Sequence, residues 1–180
     1  MRPAASWSRL GVPVRLASVL LSAQLLMTPR VSADNLPTGP QVVTGQVSVD
    51  VDGTQMGIRQ GTPQAIVNWD SFSIGAGYGV NVLQPAATSV LLSRVVGQEP
   101  SSIFGSLTAN GIFYLVNTHG ILFGPNARIC AAEFLASALD IRNSDFLAGR
   151  LHFEGRADAA AVTNQGTIAA DRVAVLLGGT

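Results

Sequence analysis

Two histidines, one cysteine and a scatter of carboxylates are the groups from which chemistry could be built in this chain of 180 residues. His119 lies in Asn117-Thr118-His119-Gly120 with no acid beside it in sequence, and reads as a solvated turn residue. His152 lies between Leu151 and Phe153, so in a strand it points away from both, toward the surface. Cys130 is the sole thiol; it can form no internal disulfide and no cysteine metal cluster. With neither histidine near it in sequence, it reads as a small buried hydrophobe. Asp50 and Asp52 share a strand face, but two carboxylates fall short of the roughly six to eight oxygens calcium takes. Asp70, Glu99, Glu133, Asp140 and Asp145 stand singly, without the convergent pair that glycoside hydrolysis uses. All 11 basic residues are Arg, which excludes a phosphate-loop Lys, a Schiff base and a Ser–Lys dyad. Gly75, Gly77 and Gly79 make a GxGxG run, but no helix pattern follows, so a nucleotide cradle is not expected. The expectation is no catalytic residue, no metal site and no cofactor.

The elements that position these groups read as β-strands. Gly105 to Ile129 holds two short strand patterns, FYLV and ILF, separated by Asn117-Thr118-His119-Gly120. Gln41 to Val51 alternates with period two, Asp52-Gly53 signals a hairpin, and Gln55 to Gln60 resumes a strand. This start suits a sheet covering the end of a longer structure. Ala65 to Ile74 reads as two short strands meeting at a corner, with Trp69 and Phe72 as packing residues rather than a sugar platform. Val80–Gln84, Val90–Val96, Arg150–Gly155, Ala161–Ala170 and Arg172–Leu177 read as further strands, and Ser144–Gly149 as a loop. Cys130–Leu139 has some helical character and equally suits a small-residue strand pair with a corner.

Arg2, Arg9 and Arg15 precede an apolar run from Leu16 to Met27, and Val31-Ser32-Ala33 follows with small residues. That order predicts a signal peptide over residues 1–33 with cleavage between Ala33 and Asp34. The run is too short for a bilayer, which needs about 20 residues, so no stable membrane insertion is expected. No adjacent Arg pair is present, which points to the general secretory route. The remainder carries more acids than arginines, which argues against nucleic acid or an anionic membrane surface as partner.

A loose repeat runs through the chain. V-N-W-D-S-F-S-I, V-N-T-H-G-I-L-F and T-N-Q-G-T-I each end a strand in Asn, turn a corner and begin another, with Asn68, Asn117 and Asn164 as the marked residues. If each interval holds two coils, one coil takes about 24 residues, within the range of solenoids. Asn tolerates corner conformations, and stacked Asn side chains could hydrogen-bond along the axis. Such short strands suit a parallel β-helix; a β-sandwich with coincidental spacing is the alternative on pattern alone.

Asn68–Ile74, Val80–Pro85, Leu92-Ser93-Arg94-Val95, Ser102–Leu107, Ala109-Asn110-Gly111, Gly120–Ile129 and Asp145–Gly149 follow one another in an order that resembles a known family. The chain is similar, from about Leu36 to Leu177, to the N-terminal secretion domain (haemagglutination activity domain) of two-partner secretion exoproteins, the filamentous-haemagglutinin family. The resemblance implies an all-β fold, a right-handed parallel β-helix with an N-terminal β cap and extra-helical hairpins, over residues 34–180. Thr180 falls inside what looks like the repeat region, so the domain is expected to be cut short there. It implies export through the periplasm of a Gram-negative bacterium to the cell surface or medium. The partner would be an outer-membrane transporter barrel, engaged through its periplasmic domains, and family passengers are adhesins, haemolysins or haem scavengers. The family's Asn-Pro-Asn-Gly-Ile motif falls on Asn117, Thr118, His119, Gly120 and Ile121, implied to be the recognition motif. Thr118 in place of Pro restores a backbone donor and frees φ. Asn68, Trp69, Ser93, Arg94, Asn110 and Gly111 would support it; Ser93 replaces the Asn of a related Leu-Asn-Arg-Val. Two rivals differ in class: a stand-alone adhesin binding host glycan or protein, and a polysaccharide-degrading enzyme, which parallel β-helices also host.

Overall fold

A computed structural model describes residues 35–155 and 160–178. The proposed signal peptide and its Ala33–Asp34 junction lie outside these residues. The described chain is mainly β, with strands that are mostly parallel. It opens with β1 (Gln41–Thr44), β2 (Val47–Asp52), β3 (Gln55–Gln60) and β4 (Gln64–Trp69). β5 (Gly79–Leu83), β6 (Val90–Val95), β7 (Ser101–Ile103) and β8 (Ser106–Ala109) follow. Then come β9 (Ile112–Val116), β10 (Ile121–Phe123) and the long β11 (Arg128–Ser137). The small elements β12 (Asp140–Ile141), α1 (Asn143–Leu147) and β13 (Phe153–Glu154) precede β14 (Val162–Asn164) and β15 (Thr167–Leu177).

Among the described strands, antiparallel pairing joins β1 with β4, β2 with β3, and β12 with β13, and an isolated antiparallel bridge joins Thr38 to Ser71. The β2–β3 hairpin forms where Asp52-Gly53 signals it, but its two-residue loop is Gly53-Thr54, with Asp52 paired to Gln55 and Gly53 at φ +58°. Elsewhere the chain returns to lie parallel on itself. Gln64, Val90, Ile112 and Glu133 occupy one column, so successive returns take 26, 22 and 21 residues. That brackets the expected length of about 24 for the Asn68–Asn117 interval, which holds two returns; the Asn117–Asn164 interval holds one long return instead of the expected two, since Ile121 pairs directly with Val162. The next return, from Glu133 to Val173, takes 40 residues because the β12–α1–β13 segment is inserted there. A second column runs Gly79, Ser106, Arg128, Thr167, and a third Ser101, Ile121, Val162.

Alternation within each strand sends one set of side chains inward. Trp69, Phe72, Phe113, Phe134 and Phe123 meet there in sequence, with ring centroids 5.4, 5.9, 6.3 and 5.8 Å apart along the series. Trp69 and Phe72 are therefore core, as expected. Ile66, Leu92, Tyr114, Val116 and Leu135 point to the opposite face of their strands, which would expose an apolar surface. The insertion covers it with Ile141, Phe146 and Phe153.

Four further expectations need correction. The Asn residues of the repeat do not stack: Asn68 pairs in register with Arg94, and Asn164 with Phe123 on a different sheet. The motif marks a local turn, not an axial ladder. Cys130 is exposed, because Ile129 and Ala131 on either side take the inward positions of β11. The supposed loop Ser144–Gly149 is largely taken up by the short helix α1, which starts one residue earlier at Asn143 and is anchored by buried Phe146. The strand expected over Arg150–Gly155 shrinks to β13. Cys130–Leu139 resolves as strand, with a register shift between Ala131 and Glu133 marking its corner.

Candidate functional site at the Asn117 corner

Asn117 follows directly on β9, where the chain must leave one sheet and enter the next at β10. It is fully buried, at 0% exposure. Its amide Nδ2 donates to the Glu99 carbonyl and to Ser101 Oγ, both at 3.0 Å. Its Oδ1 accepts the His119 N–H at 2.9 Å, closing an Asx turn. The Asn117 N–H donates to Ser137 O, and its carbonyl accepts Gly120 N–H at 3.0 Å. Every polar atom of Asn117 is thus used inside the protein. Gly120 is buried with φ +105°, a backbone conformation that favours glycine. Ile121 points into the core at 2% exposure. Thr118 and His119 alone of the five reach solvent.

The supporting residues divide between core, brackets and a clamp. Asn110 lines its amide against the Gln84 backbone as a strand would: Oδ1 accepts Gln84 N–H at 2.7 Å and Nδ2 donates to Gln84 O at 2.9 Å. A Cβ on Gly111 would lie 2.7 Å from Gln84 Oε1 and 2.8 Å from Ser89 O, so a side chain there would collide. Gln84 Nε2 in turn donates to Gln60 Oε1, Ser89 O and Ile112 O. This buried Gln84–Gln60 pair was not singled out in the sequence; two lone glutamines separated by 24 residues carry no pattern.

Arg94 projects from the outward face of β6 into the insertion. Nε donates to Asp140 Oδ1 at 2.8 Å, Nη1 to Asn143 Oδ1 at 2.7 Å, and Nη2 to the Ile141 carbonyl. Its side chain is 13% exposed, so the guanidinium is spent on holding the insertion to the sheet. Ser93 and Trp69 face the apolar interior, and Asn68 shares a column with Arg94. Ser93 Oγ, Trp69 Nε1 and Asn68 Oδ1 are buried without a hydrogen-bond partner.

Arg94, Val95, Val96, Gly97, Gln98, Thr118, His119 and Asp140 line one shallow groove of about 290 Å³. The structure thus brings Arg94 beside the exposed tip of the corner and leaves Asn110-Gly111 elsewhere. Near the insertion, burial pushes the Tyr114 hydroxyl pKa upward, and the Glu133 carboxylate adds to the rise. Among the described residues no cluster of three or more metal-ligating side chains occurs.

Comparison with known proteins decides the family. The model of the TPS secretion domain matches residues 33–176. The chain belongs to the TPS secretion domain family. It is thus the secretion domain of a two-partner secretion exoprotein. It is similar to a heme/hemopexin-binding protein of Haemophilus influenzae strain Rd, 42% identical over 110 residues, 61% of this chain and 12% of that protein. A second heme/hemopexin-binding protein of Haemophilus influenzae is 32% identical over 75% of this chain and 15% of its own length. The chain therefore spans about an eighth of these curated relatives. Among solved structures it is similar to the HMW1 secretion domain from Haemophilus influenzae, with a TM-score of 0.73 and 34% identity over 79% of this chain and 39% of that one.

Proposed function

We propose that this TPS domain is the part of its exoprotein that an outer-membrane transporter barrel reads, through its periplasmic domains, to start export. Residues 1–33 act as a signal peptide removed between Ala33 and Asp34, delivering the chain to the periplasm. The domain then leaves to the medium or cell surface as a right-handed parallel β-helix whose antiparallel β1–β3 segment caps the N-terminal end. The exoprotein it introduces is of the adhesin, haemolysin or haem-scavenging kind; the heme/hemopexin-binding relatives favour the last. The role is display and recognition, not catalysis.

The observation that carries this reading is the corner itself. Asn117, Gly120 and Ile121 are consumed in building it, and Thr118 and His119 are what it presents. The test is co-expression of the chain with a transporter of a two-partner system and assay of the medium. The expected result is a secreted protein whose intact mass begins at Asp34, and none without the transporter. Retention in the periplasm with every transporter tried would overturn the reading. Saturable glycan binding by a chain that reaches the surface without a transporter would favour the stand-alone adhesin.

A further inference from the structure

Asn117 does more than shape its own turn. Its Nδ2 reaches back about one coil to the Glu99 carbonyl and Ser101 Oγ, and so fixes the loop that precedes β7. That loop, residues 96–100, is largely exposed; Val96 is 47% exposed, and Gln98, Glu99 and Pro100 face solvent. Val96, Gly97 and Gln98 line the same groove as Thr118 and His119. The groove's one guanidinium, Arg94, is neutralised by Asp140 and further consumed by Asn143 and Ile141. Glu99, exposed and next in sequence to the groove-lining Gln98, makes no ion pair among the described residues.

We infer that the export signal is a two-coil surface made of Val96, Gln98, Glu99, Thr118 and His119, and that Asn117 is its positioning residue, buried out of the partner's reach. The inference rests on the export reading and names what that partner touches. An unpaired carboxylate on the same exposed loop as one exposed apolar side chain fits a segment of the transporter's periplasmic domains that carries both Lys or Arg and an apolar residue. Charge complementarity of this kind acts mainly on the encounter and on rejecting wrong partners.

The test uses the purified exported chain and the purified full-length transporter that secretes it, with affinity read at two salt concentrations. Glu99→Lys and Val96→Asp alter exposed side chains. They are expected to leave the melting temperature unchanged and to weaken binding about tenfold, with Glu99→Lys also flattening the salt dependence. Asp52→Lys, the same charge reversal at the β2–β3 turn, is expected to bind as the parent does. In an Asn117→Ala background the loop is released, so the Glu99→Lys effect should shrink, a coupling that independent contacts would not produce. If the parent is exported and bound while Glu99→Lys and Val96→Asp bind equally well, the two-coil surface is wrong and the export reading stands. Equal weakening by Asp52→Lys would also overturn it, as an effect of net charge. Additive Asn117→Ala and Glu99→Lys effects would remove the positioning role. A parent that no transporter binds or exports would instead sink the export reading.

Discussion

Asn117→Ala isolates what one buried amide contributes. The substitution removes two donated hydrogen bonds, to Glu99 O and Ser101 Oγ, and one accepted from His119 N–H. At about 1 kcal/mol net for each bond, the loss is about 3 kcal/mol. The Glu99 carbonyl sits on an exposed loop and can take water instead, whereas Ser101 is buried and cannot, so the losses are unequal. For a domain of this size each kcal/mol moves the melting temperature by about 2–4 °C, giving a fall of about 6–12 °C in calorimetry. Asn117→Asp sharpens the test. It keeps the acceptor for His119 N–H but buries a carboxylate against the Glu99 carbonyl. Its pKa must therefore rise above the unfolded value, so its folded state is favoured below about pH 4 and loses that support as pH climbs past it. The Asp variant should therefore lie closer to the parent at low pH than at neutral pH. A melting temperature within about 2 °C of the parent for Asn117→Ala would refute the claim that this side chain ties the corner to the chain entering β7.

Ser93→Ala removes a buried hydroxyl that has no partner in an apolar interior, and should raise stability by about 1 kcal/mol, read as a higher urea midpoint at unchanged slope. A lower midpoint would mean the hydroxyl is satisfied in solution. Tyr114 has a pKa raised by burial and by Glu133, so its neutral form is favoured in the fold. That contribution is fully present below about pH 10 and is lost as pH rises through the folded value. Tyr114→Phe should flatten the alkaline decline in melting temperature; an unchanged decline would place its cause elsewhere.

Strand positions were legible because alternation and turn chemistry are local. Asp52-Gly53 signals its hairpin, and the length of a return follows from counting between corners over Asn68–Asn117, though not over Asn117–Asn164, where the insertion turns two expected returns into one. That the Asn residues form no axial ladder was not legible, because it needed register. Asn68 ends a strand opposite Arg94, while Asn117 lies one residue beyond the paired end of β9, a slip invisible in a spacing of 49. At Asn117 and Asn164 the repeated feature is an Asx turn, in which Oδ1 accepts the N–H two residues on, to His119 and to Gly166. Cys130 was misjudged by composition: one thiol among apolar neighbours reads as core until the alternation of β11 sends it outward. Helix α1 is too short to show a period; what places it is the apolar outer face of Ile66, Leu92 and Tyr114, known only once the sheet is assembled. Within the candidate site, the motif located the corner but could not divide its residues into builders and presenters. That division depends on burial, which spacing does not encode.

The outward turn of Cys130 has a practical side. The chain holds one thiol and no lysine, so a thiol-directed dye has a single side-chain target, and side-chain amines offer amine reagents none. That target lies on β11 between Thr108 and Ala169, in mid-sheet rather than on a loose loop, which makes it a fixed point on a known strand. Trp69, buried in the aromatic series, is the one tryptophan among the described residues. A dye on Cys130 that accepts tryptophan emission would register the distance from interior to surface within a single molecule. This stretch of chain can thus report its own folding through side chains it already carries.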